Sequence, residues 1–292
     1  MKRKRIAYLF ILPTVIIILI ITIFPLIYSL RISLTRYYLP SGIPPRFIGL
    51  KNYIQIFRDT KVKDSIIVTL KIAIPALVLE FSLGLTIALL LNRITKGKSI
   101  LTSIITAPML ISPAAAGMEF RLLYHPTYGP INSFLSLFFL DSSSLKIDWL
   151  GSSRLAIYSI MLVDVWQMTP FIILVLLAGL TSIPEELYES GKIDGGSALQ
   201  LFRGITLPLL RMPIIVAVLI RLIDLLKFFD LVYILTFGGP ARTTETITFY
   251  TYFTGIRFFE VGYGAALSFV LLYLIIILSS IFLKVTRKKE VL

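Results

Sequence analysis

Long apolar runs separated by short polar segments dominate the chain. Six runs are each at least as long as the ~20 residues that a helix needs to cross the hydrocarbon core of a bilayer. They cover residues 6–30, 65–92, 99–123, 155–180, 208–237 and 261–283. The alternation of apolar and polar positions that marks membrane β-barrel strands is absent from the sequence. The pattern predicts an all-α integral membrane protein with six transmembrane helices, organised as a single domain over residues 1–292.

The first run follows the basic segment MKRKR, as a secretory signal would. Its apolar part covers 25 residues, whereas the core of a signal peptide covers roughly 7–15. No A-x-A cleavage motif follows it. We interpret this segment as a first spanning helix that is retained.

Composition supports the membrane class and narrows the chemistry. Hydrophobic residues make up 57% of the chain and charged residues 15%, far from the balance of a soluble domain. The chain has no cysteine and one histidine, His125, which excludes disulfides, thiolate metal sites and multi-histidine metal sites. No G-x-S-x-G elbow accompanies that histidine. We expect no catalytic site, no metal site and no cofactor bound by this chain.

The net charge of +13 is explained by orientation in a membrane. Basic residues gather before the first run, after the last run and in the second loop, all on one predicted side. They are Lys2, Arg3, Lys4, Arg5, Arg93, Lys96, Lys98, Lys284, Arg287, Lys288 and Lys289. The positive-inside rule makes that side cytoplasmic, so we expect a multi-pass protein of the cell (inner) membrane with both termini in the cytoplasm. Seven basic residues in the first outer loop weaken this bias without reversing it. The positive charge is thus accounted for by the lipid bilayer as partner, and we expect no nucleic-acid partner.

The cytoplasmic segment 181–207 is too polar to span and too regular to be a floppy loop. Ser182 can cap a helix, Pro184 suits its first turn, and Glu185 and Glu186 suit the positive end of its dipole. Gly195-Gly196 should stop that helix, with Gly195 at a positive φ, and Ser197 can cap a second short helix that runs through Phe202. The segment is predicted to form a helix–turn–helix at the membrane face.

Three short motifs occur at fixed spacing in this segment: Glu189-Ser190-Gly191, Asp194-Gly195 and Ile205-x-Leu207-Pro208. Nine residues separate Gly195 from Ile205. In order and spacing the motifs resemble the EAA loop of binding-protein-dependent ABC importer permeases. Ser190 and Gly191 stand where that family usually has two alanines, and glycine there loosens the helix by up to ~1 kcal/mol relative to alanine.

Further segments extend this resemblance along the chain. FIGLKNY at 47–53, YGPIN at 128–132 and LTFGGP at 235–240 resemble stretches of the sugar-permease branch, which includes the maltose and glycerol-phosphate permeases. One departure is Val68, which stands before Thr69 where that branch would have asparagine.

The resemblance implies a specific assembly. Such permeases pair with a second, similar but distinct permease, and two cytoplasmic ATPase subunits dock below while an extracellular solute-binding protein docks above. The EAA helix sits in a groove of the ATPase and transmits its closure, which implies coupling roles for Glu189, Ser190, Gly191, Asp194, Gly195, Ile205, Leu207 and Pro208. No G-x-x-x-x-G-K-[ST] P-loop is present, so the chain is expected not to be an enzyme and ATP is expected to bind the partner ATPase subunits.

Charged residues inside the apolar runs suggest a solute pathway. Arg221, Asp224, Lys227 and Asp230 are spaced by three, so on a helix they share a side. They can line the pathway or pair with one another as a self-neutralised ladder. Glu80 and Asp164 are further acids at membrane depth, where charges usually face a cavity or a partner.

Trp166 and Gln167, close to Asp164 in the sequence, suit a sugar ligand. The aromatic ring can stack on the sugar ring, and the amide can form hydrogen bonds with the sugar hydroxyls. Trp166 could equally be an interfacial tryptophan. The candidate pathway residues are Trp166, Gln167, Asp224, Lys227, Phe228 and Asp230.

The function that these features predict is that of a permease subunit forming half of the translocation pathway of an ATP-driven sugar importer. The same machinery importing glycerol phosphate or another small polar solute is the alternative. A secondary transporter is a further alternative, but it would usually show inverted repeats, and we find none that is convincing.

Overall fold

The computed structural model describes residues 2–138 and 146–287, with side chains between residues 11 and 286. Residues 139–145 and the basic residues Lys288 and Lys289 lie outside the described residues. In chain order the helices are α1 (Lys2–Ser33), α2 (Lys51–Arg58), α3 (Thr60–Arg93), α4 (Lys98–Thr106), α5 (Pro113–Leu123), α6 (Pro130–Ser136), α7 (Ala156–Thr181), α8 (Glu185–Ile193), α9 (Ala198–Leu201), α10 (Leu207–Leu209), α11 (Arg211–Leu226), α12 (Asp230–Leu235), α13 (Ile247–Tyr252) and α14 (Val261–Arg287). The strands β1 (Thr35–Arg36) and β2 (Arg46–Phe47) pair antiparallel, with Thr35 opposite Phe47.

One compact unit is formed by the chain up to Lys63 together with Tyr250–Leu274. Residues of the FIGLKNY motif form the hydrogen bonds that connect α2 to the end of α1 in this unit. The Asn52 side chain is buried and donates hydrogen bonds to the carbonyl oxygens of Ser33 at 2.8 Å and Thr35 at 2.9 Å. The Tyr53 hydroxyl lies 2.7 Å from the Ser33 hydroxyl. The motif therefore fastens α2 to the end of α1 and the start of the hairpin.

The other unit comprises Asp64–Phe249 and the chain from Ile275 onward. Its apolar core lies between α3, α7 and α11 and includes Ala88, Leu91, Ile172, Ile173, Leu176, Leu180, Leu210 and Ala217. Glycines allow the close approach of these helices. A Cβ added at Gly84 would lie 2.5 Å from Ile172 Cγ2, and one at Gly179 would lie 2.7 Å from Pro213 Cγ. Small residues at helix contacts are typical of membrane bundles.

Helix length bears on the predicted spans. Among the described residues, four helices are long and apolar enough to cross a membrane: Ile11–Ser33, Thr60–Arg93, Ala156–Thr181 and Val261–Thr286. The bent pair Lys98–Leu110 and Pro113–Leu123 adds a fifth if it forms one broken span. The helical fold with membrane-length helices agrees with the sequence prediction, whereas the count of six is not confirmed.

The third predicted run is bent rather than straight. Its two halves meet at an angle of 91°, because Pro113 begins a new helix. Proline disfavours helical backbone in the residue before it, and Ser112 is extended, with φ −64° and ψ 144°. The Ala115 amide donates to Ser112 Oγ at 3.3 Å, so that serine caps α5.

The fifth predicted run is interrupted without a proline or glycine. Helix α11 ends at Leu226 and α12 begins at Asp230. The Thr246 hydroxyl donates to the Phe228 carbonyl oxygen at 2.8 Å, which satisfies a backbone group that the break releases from helical pairing. A tertiary contact thus supports a break that the apolar pattern does not show.

Candidate functional site

A cavity of about 290 Å³ lies at the break between α11 and α12. Its lining residues are Pro113, Asp164, Gln167, Met168, Arg221, Asp224, Lys227, Phe228, Phe229, Asp230 and Leu231. Five of the six candidate pathway residues meet here, namely Gln167, Asp224, Lys227, Phe228 and Asp230. We call this space the break cavity, and it is the candidate functional site.

Trp166 does not line the break cavity. It is 39% exposed, and its ring lies 5.0 Å from that of Phe120. Successive residues of a helix are rotated by about 100°, so Trp166 and Gln167 lie on different sides of α7. The break cavity therefore brings together the amide without the ring, and a place for Trp166 in the solute pathway stays a prediction.

The Arg221 guanidinium is the centre of a buried ion cluster beside the cavity. Its Nε donates to Glu80 Oε2 at 2.7 Å, and its Nη2 donates to Glu80 Oε1 at 2.8 Å and to Asp164 Oδ2 at 2.8 Å. All three side chains are at most 6% exposed. Because a buried charge without a partner costs several kcal/mol, this cluster holds α3, α7 and α11 in one arrangement.

The cluster corrects the expected ladder of charges along the fifth run. Arg221 binds acids of two other helices rather than Asp224. Lys227 lies 3.6 Å from Asp224, but both side chains are about half exposed, so this pair contributes little. Asp230 lies beyond the break, in the first turn of α12, where an acid is favoured by the helix dipole.

Sequence reasoning did not pair Arg221 with Glu80 and Asp164. A signal for the cluster exists in the sequence. Two lone acids and an arginine occur in three separate apolar runs, where each alone would be costly. That signal does not say which groups meet, because the pairs are 141 and 57 residues apart along the chain.

Gln167 lines the break cavity and carries a buried acceptor without a hydrogen-bond partner among the described residues. Its side chain is fully buried, and Nε2 donates to the Ile111 carbonyl oxygen at 2.7 Å. This bond fixes the amide, and Oε1 then has no hydrogen-bond partner within the part of the chain that the structure describes. Buried acceptors nearly always have a donor, so this oxygen is an exception beside the cavity.

The predicted cytoplasmic segment forms two short helices around a glycine turn. Helix α8 ends before Gly195, whose φ is +79°, which confirms the expected positive φ. A Cβ at Gly191 would lie 2.5 Å from Leu201 Cδ2 and 3.3 Å from Ile205 Cδ1, so glycine permits close contact between the two helices. The Tyr188 hydroxyl lies 2.9 Å from the Thr206 hydroxyl across this contact.

The starts of the two helices differ in how well they were predicted. Ser197 precedes α9, and its amide donates to Gln200 Oε1 at 2.8 Å, in agreement with the expected second cap. Ser182 was expected to cap the first helix, and this is wrong. Its hydroxyl donates backwards to the Gly179 carbonyl oxygen at 2.7 Å and so ends α7, while Pro184 precedes α8.

The remaining coupling candidates are described by their exposure and by the helix to which they belong. Glu189, Ser190 and Asp194 are exposed, while Ile183 of the same segment is buried. Leu187 and Ile193 are 43% and 86% exposed, respectively. Ile205 belongs to a π-helical turn, Phe202–Thr206, after which Leu207 and Pro208 form α10. Helix α8 therefore exposes acidic and apolar side chains together.

Comparison with known proteins gives consistent matches. The model of the family described as "binding-protein-dependent transport system inner membrane component" matches residues 80–289. The trehalose/maltose transport system permease protein MalF of Thermococcus litoralis is 36% identical over 98% of this chain and 95% of its own length.

Two solved structures share the fold. A bacterial ABC transporter involved in the import of the acidic polysaccharide alginate matches with a TM-score of 0.86 and 24% identity, over 99% of this chain and 97% of that one. A bacterial alginate ABC transporter in complex with an alginate pentasaccharide-bound periplasmic protein matches with a TM-score of 0.84 and 23% identity, over 99% and 96%.

Proposed function

This chain belongs to the family of binding-protein-dependent transport system inner membrane components, and we propose on that basis that it is the permease subunit of an ATP-driven sugar importer in the cell membrane. The observation that carries the proposal is the 36% identity to a trehalose/maltose permease over 98% of the chain. A match of that extent covers the break cavity and the cytoplasmic helices alike.

In this proposal the break cavity forms part of the solute pathway. Carboxylate and amide oxygens accept hydrogen bonds from hydroxyls, and Asp224, Asp230 and Gln167 supply them at the cavity wall. The ring of Phe228 offers an apolar surface to the C–H face of a sugar ring. A second, similar permease supplies the other half of the pathway, and an extracellular solute-binding protein delivers the solute.

The cytoplasmic helices are the proposed contact with two ATPase subunits. Exposed apolar side chains beside exposed acids, as on α8, suit a protein interface. ATP is bound and hydrolysed by those subunits, and both chain termini lie on their side of the membrane. The chain then acts as a transport subunit without an ATPase site of its own.

Reconstitution in liposomes with the partner permease, the ATPase and the binding protein tests this function. We expect sugar uptake and solute-stimulated ATP hydrolysis from the full assembly and neither from this chain alone. Accumulation of sugar or hydrolysis of ATP by the purified chain would contradict the proposal.

The coupling role has its own test in Glu189→Ala. Removing one charge of a partly buried interfacial pair leaves its partner unpaired, which costs about 2–5 kcal/mol. Co-purification with the ATPase and stimulated hydrolysis should both fall. The matched control is Glu186→Ala, an exposed acid of the same helix, with an expected effect within about ±0.5 kcal/mol. Wild-type behaviour of Glu189→Ala would remove α8 as the coupling contact.

A further inference from the structure

The break cavity carries a surplus of negative charge. The acids that line it are Asp164, Asp224 and Asp230, and the bases that line it are Arg221 and Lys227. Three carboxylates against two cations leave a formal charge of −1. Walls of low dielectric constant around a cleft concentrate such a field rather than dispersing it.

Both cations already have carboxylate partners. Arg221 directs two of its nitrogens to Glu80 and Asp164 and is almost fully buried. Lys227 lies 3.6 Å from Asp224. Among the described lining residues, an anionic solute could therefore reach a cation only by separating the half-exposed Lys227–Asp224 pair.

The hydrogen-bonding groups at the wall point to the same ligand chemistry. Gln167 Oε1 is a fully buried acceptor that lacks a partner within the described chain, and Asp224 and Asp230 are acceptors as carboxylates. A hydroxyl can donate to such groups. The phosphate dianion or carboxylate group of an anionic solute has only acceptors to offer, so that group cannot satisfy Gln167 and adds charge repulsion at the wall.

We propose, resting on the permease function above, that the break cavity is a charge filter that admits uncharged, hydroxyl-rich solutes and disfavours anionic ones such as sugar phosphates and uronates. Asp224 and Asp230 set this selectivity, and Gln167 supplies the neutral acceptor that a hydroxyl satisfies. The filter discriminates by the sign of the solute's charge and leaves the identity of the sugar to other contacts.

The absence of cysteine from the chain allows a direct measurement of the cavity field. Met168 lines the cavity, and Met168→Cys introduces one thiol there. The full chain is treated with a cationic methanethiosulfonate (ethyltrimethylammonium) and with an anionic one of similar size (ethylsulfonate). The ratio of the two rates reports the local potential, because both reagents react with the same thiolate. Thr102→Cys is the matched control, since its cavity is lined by Lys98 and by no carboxylate among the described residues.

We expect the cation-to-anion rate ratio of Met168→Cys to exceed that of Thr102→Cys by about tenfold or more at low salt and to fall as salt is added. Adding Asp224→Asn and Asp230→Asn to Met168→Cys removes two formal negative charges, and the ratio should fall to that of the control. Equal ratios at the two positions, or a ratio that the Asn substitutions leave unchanged, would overturn the charge filter.

The two proposals fail in different ways. Loss of charge preference in an assembly that still imports sugar rejects the filter and leaves the permease function standing. A strong charge preference in a reconstituted assembly that imports nothing rejects the permease function, and with it the filter's role in transport.

Discussion

Among the described residues, Arg221 is the cation that pairs with the buried carboxylates of Glu80 and Asp164. Each carboxylate in the cluster would be strongly disfavoured away from water. The bidentate geometry toward Glu80 and the added bond to Asp164 offset part of that desolvation penalty. Removing the arginine leaves the penalty of both carboxylates without this offset, so the loss of stability should exceed the net contribution of the cluster.

Arg221→Met should therefore destabilise the chain by about 3–5 kcal/mol, because two carboxylates remain buried without a cation. Denaturant unfolding of the detergent-solubilised chain measures this. Lys227→Met is the matched control, since its ion pair is half exposed and contributes about 0–1 kcal/mol. An Arg221→Met variant as stable as the control would contradict a structural role for the cluster.

Asp59 provides a residue-scale prediction about pH. Burial raises the pKa of its carboxyl, but hydrogen bonds from the Tyr250 and Tyr263 hydroxyls, at 2.8 Å and 2.9 Å, and the nearby Lys61 outweigh burial, and the pKa is lowered overall. Because the folded pKa lies below the unfolded value of about 3.9, ionised Asp59 stabilises the folded state above that pH. The contribution is lost as the pH falls through the folded pKa.

The difference in unfolding midpoint between the wild type and Asp59→Asn should therefore be constant from pH 7 to about 5 and shrink at lower pH. Tyr263→Phe removes one of the two hydroxyl donors, so its loss of stability relative to the wild type should shrink over the same range. A difference that stays constant down to pH 3 would show that the carboxylate charge is not what these tyrosines stabilise.

At the scale of elements, irregularities rather than regular helices shape the site. The break between α11 and α12 opens the cavity, and the bend at Pro113 leaves the Ile111 carbonyl to accept from Gln167. The glycine turn between α8 and α9 sets the proposed coupling segment. Each of these is a short interruption of the helix. It places side chains or backbone groups where a continuous helix could not place them.

The glycine turn gives the prediction at this scale. An added Cβ at Gly195 would meet no atom within 4 Å, so a substitution is limited by the backbone rather than by space. Gly195→Val should cost about 1–2 kcal/mol for left-handed backbone and weaken ATPase association, whereas Gly195→Asn should be better tolerated because asparagine visits this conformation. Co-purification with the ATPase compares them, and equal impairment of both variants would exclude the backbone explanation.

At the scale of the whole molecule, the orientation in the membrane is the prediction to be tested. Because the chain has no native cysteine, single thiols can report which side of the membrane each loop occupies. We expect Lys96→Cys and Asp194→Cys to react with an impermeant maleimide only from the cytoplasm, and Ser41→Cys and Thr127→Cys only from outside, as the positive-inside rule requires.

Labelling is measured on intact cells and on inverted vesicles, with the cysteine-free wild type as the blank. Reaction of Lys96→Cys in intact cells would reverse the topology. Reaction of Asp194→Cys and Lys96→Cys from opposite sides would show instead that the bent pair α4–α5 does not cross the membrane as one broken span.

Features that rest on local physics follow from the order of residues alone. Apolar runs predict membrane-length helices because the bilayer core sets their length, and glycine at 195 predicts a turn because only its backbone enters the left-handed region freely. Which distant groups meet is seen only in the folded chain. Arg221 finds acids 141 and 57 residues away, Gln167 turns toward the cavity while Trp166 turns aside, and Thr246 supports a break that no local pattern marks. These outcomes follow from contacts between separate helices, and neither spacing nor periodicity along one helix specifies the partner on another.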